Sequence, residues 1–340
     1  MERIQLPWMS ERYLFLLSYC TSSPTPAKRE SFVFRPSKLT NAHPGMVRLF
    51  CLPFPASDIY QSKGIHKLHF LPTCPVGHEA QRVRSYQDFN PGTLATFGVV
   101  EQNVLVPALR DDPKLKVTAV ASMFRRSPLC VASLGRGGGG RPSFLEDGDA
   151  IGAHEDTVNL LRRIFPRQEV MASPRGSKNT DLLDGKYAAI QAYSTTEVPA
   201  LRRLMEGLGM DPSDLRVLPL EDVDAGHGVP NPRLGYSQVI FVADEALTLA
   251  EDGTSNAHTD RRDAARTFLD ATFEGWQLAI CDPDSAVRAV AEAQRMLKLD
   301  DESNDHWHDS ASFRREMLDL VNDHVKEVSG RAGMQSSTIL

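Results

Sequence analysis

Polar and aromatic side chains that could hold a small molecule occur where predicted strands end and predicted helices begin. Four such junctions stand out along the chain. The candidate ligand contacts at these junctions are Phe54, Ser57, Glu101, Gln102, His154, Thr157, Tyr193, Thr196 and Glu197. Ligands of α/β proteins bind beyond the carboxyl ends of strands, where helix N-termini present unpaired N–H groups. We therefore expect these side chains to contact a ligand.

The junction after the segment Tyr187–Tyr193 (YAAIQAY) carries the strongest candidates. Tyr193 ends an apolar strand, so its ring can face a ligand and stack on a flat one. Glu197 falls in the first turn of the next helix, where its carboxylate could accept hydrogen bonds from a ligand. The same position also suits an acid that stabilises the helix dipole, with Thr195 or Thr196 as the N-cap. Both interpretations of Glu197 stay open.

The other candidates also have structural alternatives. Phe54 either stacks on a ligand or packs into a core, and His154 either contacts a ligand or is a buried histidine with internal partners. Glu155 and Asp156 are better explained as capping residues of the next helix. Three arginines near strand ends could pair with an acidic ligand group, although a surface position is the default for each; these are Arg125, Arg126 and Arg175.

The elements that must position these residues alternate between strands and helices. Strands are predicted at 47–52, 67–71, 94–100, 115–123, 150–153, 170–173, 187–193, 215–219 and 238–242. Helices are predicted at 77–87, 101–110, 154–164, 180–183, 195–207, 261–280, 285–297 and 311–328. This alternation predicts an α/β protein whose mainly parallel sheets are flanked by helices.

Composition excludes several function classes. The 340 residues carry a net charge of -6 and no long basic stripe, so we expect no nucleic-acid partner. The five cysteines are widely spaced and form no CxxC pair, which argues against a disulfide framework or a zinc site. The histidines of the segment Asp305–Asp309 are two positions apart and would not share a helix face, so we expect no metal and no cofactor.

The ends of the chain are predicted to be flexible. Residues 1–44 are rich in Ser, Pro and basic residues, and residues 331–340 follow the last predicted helix. No apolar run approaches the roughly 20 residues that cross a bilayer. The short apolar stretch Tyr13–Cys20 follows a segment of mixed charge, which makes a poor export signal. We therefore expect a cytoplasmic protein rather than a periplasmic or secreted one.

Four segments, in order along residues 46–328, resemble the substrate-binding proteins of ABC transporters in the SsuA and thiamine-pyrimidine synthase family. The segments are LKVTAVASMFRRSPLCVASL at 115–134, DGDAIGAHEDT at 147–157, DGKYAAIQAYSTTEVPALRR at 184–203, and GYSQVIFVADEAL with RTFLDATFEGWQLAICDP within 235–283. The turn at 53–57 departs from the family, because it lacks the tryptophan that the family usually has there.

The resemblance implies a two-lobed fold of the periplasmic-binding-protein type II class, with a ligand cleft between the lobes. Lobe 1 would comprise residues 45–124 and 243–330, and lobe 2 residues 125–242. The implied function is that of a monomeric solute-binding protein that closes on a pyrimidine-like thiamine precursor, with an ABC permease as partner if the protein is exported. A sulfonate or another small anion is the alternative ligand. Glu197 would then accept hydrogen bonds from an aminopyrimidine.

A second alternative is an enzyme similar to the thiamine-pyrimidine synthases, which share this fold. Those enzymes carry a cysteine cluster for iron, a lysine that holds pyridoxal phosphate and a histidine that is consumed as substrate. This chain has no cysteine cluster, and the position of the consumed histidine falls close to Asn103. Both differences favour a binding protein without catalysis.

Overall fold

A computed structural model describes the chain over residues 57–63, 65, 78–89, 94–124, 126–135, 145–173, 177–223, 237–247, 256–296 and 310–326. These residues divide into two compact units. Unit 1 contains 124–237 and 310–326, and unit 2 contains 57–123 and 238–296, within the described ranges. The strands predicted at 47–52 and 67–71 lie outside the described residues.

The described elements include every strand and helix predicted within these ranges, and two more, at 57–62 and 129–134. The strands are β1 (Phe97–Val100), β2 (Val117–Phe124), β3 (Leu129–Leu134), β4 (Ala150–Ala153), β5 (Glu169–Ala172), β6 (Ala189–Tyr193), β7 (Leu215–Pro219) and β8 (Ser237–Ala243). The helices are α1 (Ser57–Ser62), α2 (Glu79–Phe89), α3 (Gln102–Asp111), α4 (Val158–Ile164), α5 (Lys178–Leu183), α6 (Glu197–Gly207), α7 (Asn256–Cys281), α8 (Pro283–Met296) and α9 (Ala311–Lys326).

Unit 1 is built on a sheet of strand order β5-β4-β6-β3-β7. β4 runs parallel to β5 and to β6, whereas β3 runs antiparallel to β6 and to β7. The α/β class is thus confirmed, but the sheet is mixed rather than mainly parallel. The cause is β3, a strand for which the sequence analysis made no prediction. β3 begins at Leu129, directly after Ser127 and Pro128, and proline has no N–H for a sheet ladder.

The centre of unit 1 is apolar and tightly packed. All five residues of β6 are buried, which is typical of a central strand covered on both faces. Gly152 in β4 lies against the ring of Tyr187, and a Cβ atom at this position would come within 2.6 Å of the ring. This close approach explains why a glycine occupies the middle of a strand.

Unit 2 contains the sheet β1-β8-β2. β1 pairs antiparallel with β8, from Phe97 opposite Val242 to Val100 opposite Val239. Both residues of the second pair belong to a buried apolar cluster that also takes in Val83 of α2. This unit therefore has its own hydrophobic core.

Helix α9 belongs to unit 1, although the sequence analysis assigned all of 243–330 to lobe 1 with the elements of unit 2. Two contacts tie this helix to α6: Arg203 Nη2 lies 2.8 Å from Glu316 Oε2, and its guanidinium lies 4.8 Å from the Phe313 ring centroid. His324 Nε2 also lies 3.4 Å from Ser194 Oγ. The C-terminal helix thus returns to the unit that carries β6.

Candidate functional site

The parallel strands β4, β5 and β6 end at one edge of the unit 1 sheet. His154 follows β4, and Tyr193 is the last residue of β6. Lys178 is the first residue of α5, and Glu197 is the first residue of α6. These four residues and Gln191 of β6 form what we call the strand-end cluster. It brings together three segments that are far apart in the sequence, at the edge where ligands of parallel sheets bind.

Lys178 lies at the centre of the strand-end cluster. Its side chain is 1% exposed, and its Nζ lies 2.9 Å from Glu197 Oε1 and 2.9 Å from His154 Nε2. Nζ also donates a 2.6 Å hydrogen bond to the backbone oxygen of Gln191. A lysine ammonium has three N–H donors and no acceptor. The 2.9 Å contact with a buried carboxylate and the hydrogen bond to the Gln191 backbone oxygen fit a protonated Lys178.

The pKa values in the cluster are shifted by burial and by the contacts of Lys178 with Glu197 and His154. Burial alone would raise the pKa of Glu197, but the Lys178 ammonium and His154 outweigh it and bring the pKa to about 2. Burial lowers the pKa of Lys178, an effect that Glu197 opposes. Burial and the neighbouring Lys178 charge lower the pKa of His154. Glu197 is therefore charged at neutral pH and lies in ion-pair contact with Lys178, while the lowered pKa of His154 favours its uncharged form.

Gln191 fixes the turn between β4 and α4. Its Oε1 accepts a 3.1 Å hydrogen bond from the backbone N–H of His154 and lies 3.2 Å from Thr157 Oγ1. Thr157 is fully buried, and its hydroxyl also lies 2.9 Å from the backbone oxygen of His154. Thr157 thus holds the backbone that carries His154, which is the role the structure shows for this candidate.

Both carboxylate oxygens of Glu197 contact groups of the protein. Oε1 faces Lys178, and Oε2 accepts a 2.9 Å hydrogen bond from the backbone N–H of Tyr193. The side chain is 3% exposed. Tyr193 is also buried, and its ring lies 6.3 Å from the His154 ring, measured between centroids. Glu197 therefore anchors the end of β6, beside two neighbouring rings.

Helix α6 begins without a side-chain cap. Thr196 occupies the N-cap position, but its hydroxyl accepts no hydrogen bond from the first turn. That hydroxyl has no hydrogen-bond partner in the described part of the chain. The capping role considered for Thr196 is therefore absent, and the positive end of the helix dipole lies at the same edge as His154 and Tyr193.

The other described candidates lie in unit 2. Glu101 is buried directly before α3, and its Oε1 accepts a 2.8 Å hydrogen bond from Gln238 Nε2. Gln102 is half-buried as the first residue of α3. Ser57 begins α1, and Phe54 lies outside the described residues. Their ligand contacts remain predictions.

Of the three arginines considered, Arg126 is described. Its side chain is 54% exposed, and its Nε lies 3.7 Å from Glu221 Oε1. This exposure fits the default surface position. Arg125 and Arg175 lie outside the described residues, as does the segment Asp305–Asp309.

No group of His, Cys, Asp and Glu side chains suited to a metal ion occurs in the part of the chain that the structure describes. None of the helices in that part combines the length and the apolar character that a membrane crossing needs.

Sequence reasoning missed Lys178 and Gln191. A signal for each was present. Lys178 opens a helix, where a cation is unfavourable next to the positive end of the dipole, and such local conflicts often mark positions fixed by tertiary contacts. Gln191 interrupts an apolar strand, and a buried amide requires partners.

No protein-family model matches the chain, and no curated protein matches it. Several solved structures match the chain. The periplasmic aliphatic sulphonate binding protein SsuA from Escherichia coli matches with a TM-score of 0.52 and 11% identity, over 83% of this chain and 81% of that one. The chain has the fold of a periplasmic solute-binding protein.

Two further solved structures have lower TM-scores. The alkanesulfonate-binding protein SsuA from Xanthomonas axonopodis pv. citri matches at 0.47 with 11% identity, over 82% of this chain and 81% of that one. A periplasmic sulfonate-binding protein SsuA from Methylobacillus flagellatus KT matches at 0.46 with 11% identity, over 84% and 82%. The Escherichia coli protein is a sulphonate-binding protein, so the comparison does not show the thiamine-pyrimidine synthase family.

The comparison corrects the expectation of a cytoplasmic location. The Escherichia coli protein with this fold is periplasmic. A weak export signal in the sequence was therefore the wrong basis for assigning a compartment.

Proposed function

We propose that this chain is a solute-binding protein and that the strand-end cluster forms the wall of unit 1 against which a small ligand rests. The main observation behind this proposal is that His154, Tyr193 and the N-terminus of α6 lie together at the carboxyl edge of parallel strands. A buried ion pair between Lys178 and Glu197 holds these segments in place. A preorganised polar edge of this kind suits binding, because little ordering is needed when the ligand arrives.

The state of Lys178 favours binding over catalysis. A lysine that forms an imine with an aldehyde cofactor must offer an unprotonated and accessible amine. Lys178 instead contacts the Glu197 carboxylate, the Gln191 backbone oxygen and His154 Nε2, and its side chain is 1% exposed. The enzyme alternative therefore gains no support from this lysine.

The first candidate ligand is a pyrimidine related to a thiamine precursor. The rings of His154 and Tyr193 provide aromatic surface for a flat heterocycle. Glu197, however, is engaged by Lys178 and by the backbone N–H of Tyr193. In this proposal the pyrimidine is recognised by the rings and by polar groups at the edge, rather than by the Glu197 carboxylate.

The second candidate ligand is a small sulfonate, and the start of α6 favours it. No side chain caps this helix, and the Thr196 hydroxyl lacks a described partner. A helix N-terminus stabilises an anion through its N–H groups and its dipole. The Escherichia coli protein of the same fold is an aliphatic sulphonate binding protein.

The same proposal gives the protein a place in import. A monomer in the periplasm would deliver its ligand to an ABC permease, as the ligand-binding components of import systems do. Cell fractionation of a tagged full-length chain tests this part: recovery in the periplasmic fraction supports it, and recovery in the cytosol contradicts it.

Calorimetric titration with an aminopyrimidine and with ethanesulfonate tests the ligand site. We expect one of the two to bind with one site per chain. Tyr193→Leu, which removes the ring, should weaken binding of an aminopyrimidine by about 2- to 10-fold, since aromatic contacts are worth about 0.5–1.5 kcal/mol beyond area burial. Lys186→Met, at an exposed lysine of the same unit, is the matched control and should bind normally. Failure of both probes to bind would contradict the proposal.

A further inference from the structure

The hydrogen bonds of Lys178 fix the tautomer of His154. A protonated lysine can only donate, so His154 Nε2, 2.9 Å from Lys178 Nζ, must be the accepting nitrogen. The only other close acceptors are Glu197 Oε1 and the backbone oxygen of Gln191 in the described structure. A neutral imidazole carries one proton, and it therefore resides on Nδ1.

An alternative assignment would place the proton on Nε2 and leave Lys178 uncharged. Glu197, which is buried with its carboxylate 2.9 Å from Nζ, would then lose its counter-charge. An unpaired buried carboxylate is far more costly than a buried ion pair with good geometry. The protonated lysine and the Nδ1–H imidazole are thus the consistent pair.

The Nδ1 atom of His154 has no hydrogen-bond partner among the described residues, in contrast to Nε2. The side chain is 10% exposed. Nε2 faces the fully buried Lys178, which leaves Nδ1 as the ring nitrogen that can meet a ligand. Resting on the proposed function, we propose that His154 presents Nδ1–H as a fixed hydrogen-bond donor to the ligand, so that the site selects a ligand with an acceptor at this position.

This donor defines the chemistry of recognition. A ring nitrogen of a pyrimidine or an oxygen of a sulfonate can accept from Nδ1–H. An amino group or a C–H at the same place cannot, and it would leave a buried donor unpaired at a cost of about 1–3 kcal/mol. Lys178 acts as a positioning residue here, because it prevents the imidazole from offering an acceptor to the ligand.

The tautomer is tested without any ligand by ¹⁵N NMR of the histidine rings in the full chain. The signals of His154 are those that disappear in His154→Asn. We expect a protonated Nδ1 and an unprotonated Nε2 at neutral pH. In Lys178→Met the proton should move to Nε2, which then faces Glu197 Oε1 at 3.7 Å. A wild-type ring protonated at Nε2, or at both nitrogens, overturns the inference even if Lys178→Met fails to fold.

The selectivity is tested by titrating the full chain with an aminopyrimidine and with aniline, which has the same shape but no ring nitrogen. We expect the aminopyrimidine to bind about 10-fold more tightly, the equivalent of about 1.4 kcal/mol. His154→Asn, whose amide nitrogen can replace Nδ1, should retain more of this preference than His154→Leu.

Equal affinity for the two probes overturns the donor role while leaving the proposed function intact. Absence of binding by both probes and by ethanesulfonate overturns the proposed function, and the donor role with it. Normal selectivity in Lys186→Met is required for either conclusion, because this variant removes a lysine that does not contact His154.

Discussion

Replacing Lys178 by Met removes the only described cation in contact with the Glu197 carboxylate while keeping most of the side-chain volume. The two charged atoms are 2.9 Å apart and both side chains are at most 3% exposed. Their attraction is about 6 kcal/mol at an effective dielectric constant of about 20. Much of it offsets the cost of removing both charges from water. Breaking such a pair from one side costs about 3–5 kcal/mol, because the remaining charge stays buried without a partner.

Urea unfolding, followed by circular dichroism, measures the loss. Hydrogen exchange of the peptide covering β6 assigns it to unit 1, since the Tyr193 N–H is bonded to Glu197. Combining Lys178→Met with Glu197→Gln should cost less than the sum of the single losses, by about 2 kcal/mol or more. Lys186→Met is the control and should change stability by less than about 0.5 kcal/mol. Additive losses, or a loss below about 1 kcal/mol for Lys178→Met, would refute the reasoning.

Three further outcomes are expected from the same structure. Because the pKa of Glu197 is lowered from 4.5 to about 2, its stabilising effect should be present above pH 4.5 and lost as the pH falls towards 2. Glu197→Gln should flatten this part of a curve of unfolding free energy against pH. An unchanged slope in this variant would count against the ion pair. Gly152→Ala should lower the free energy of unfolding by about 1–3 kcal/mol, because the added methyl group overpacks against Tyr187. Urea unfolding measures this loss, and Tyr187→Leu should partly relieve it. A neutral effect would argue against the close approach. Burial raises the pKa of the Cys130 thiol, which makes this thiol unreactive. Mass spectrometry after iodoacetamide treatment should therefore find Cys130 unmodified and the exposed Cys281 modified. Rapid labelling of Cys130 would instead show that β3 is accessible.

Much of the fold could be predicted because hydrophobic periodicity and turn residues report local structure directly. The strand at 150–153 and the strand at 215–219 have the predicted bounds. The direction of β3 could not be predicted, because pairing partners depend on contacts distant in the sequence. The position of α9 in unit 1 likewise depends on the contact between Arg203 and Phe313, two residues that are far apart in the sequence.

The candidate site was predicted by position more than by role. His154, Thr157, Tyr193 and Glu197 do lie together at one sheet edge, as the rule for strand ends in α/β proteins leads one to expect. Their roles depend on Lys178, and a lysine is so rarely buried that sequence alone suggests a surface position. Lys178 explains why Glu197 is engaged in an ion pair, and it is the basis for proposing Nδ1–H of His154 as a hydrogen-bond donor.

The most direct test of a ligand site in unit 1 is an amide ¹⁵N–¹H NMR titration of the full chain with the aminopyrimidine and with ethanesulfonate. Binding at the strand-end cluster should shift the amides of His154, Tyr193 and Thr196 most strongly, with little change along α9. Saturable shifts confined to other parts of the chain, or no shifts with either compound, would contradict the assignment of ligand binding to this edge.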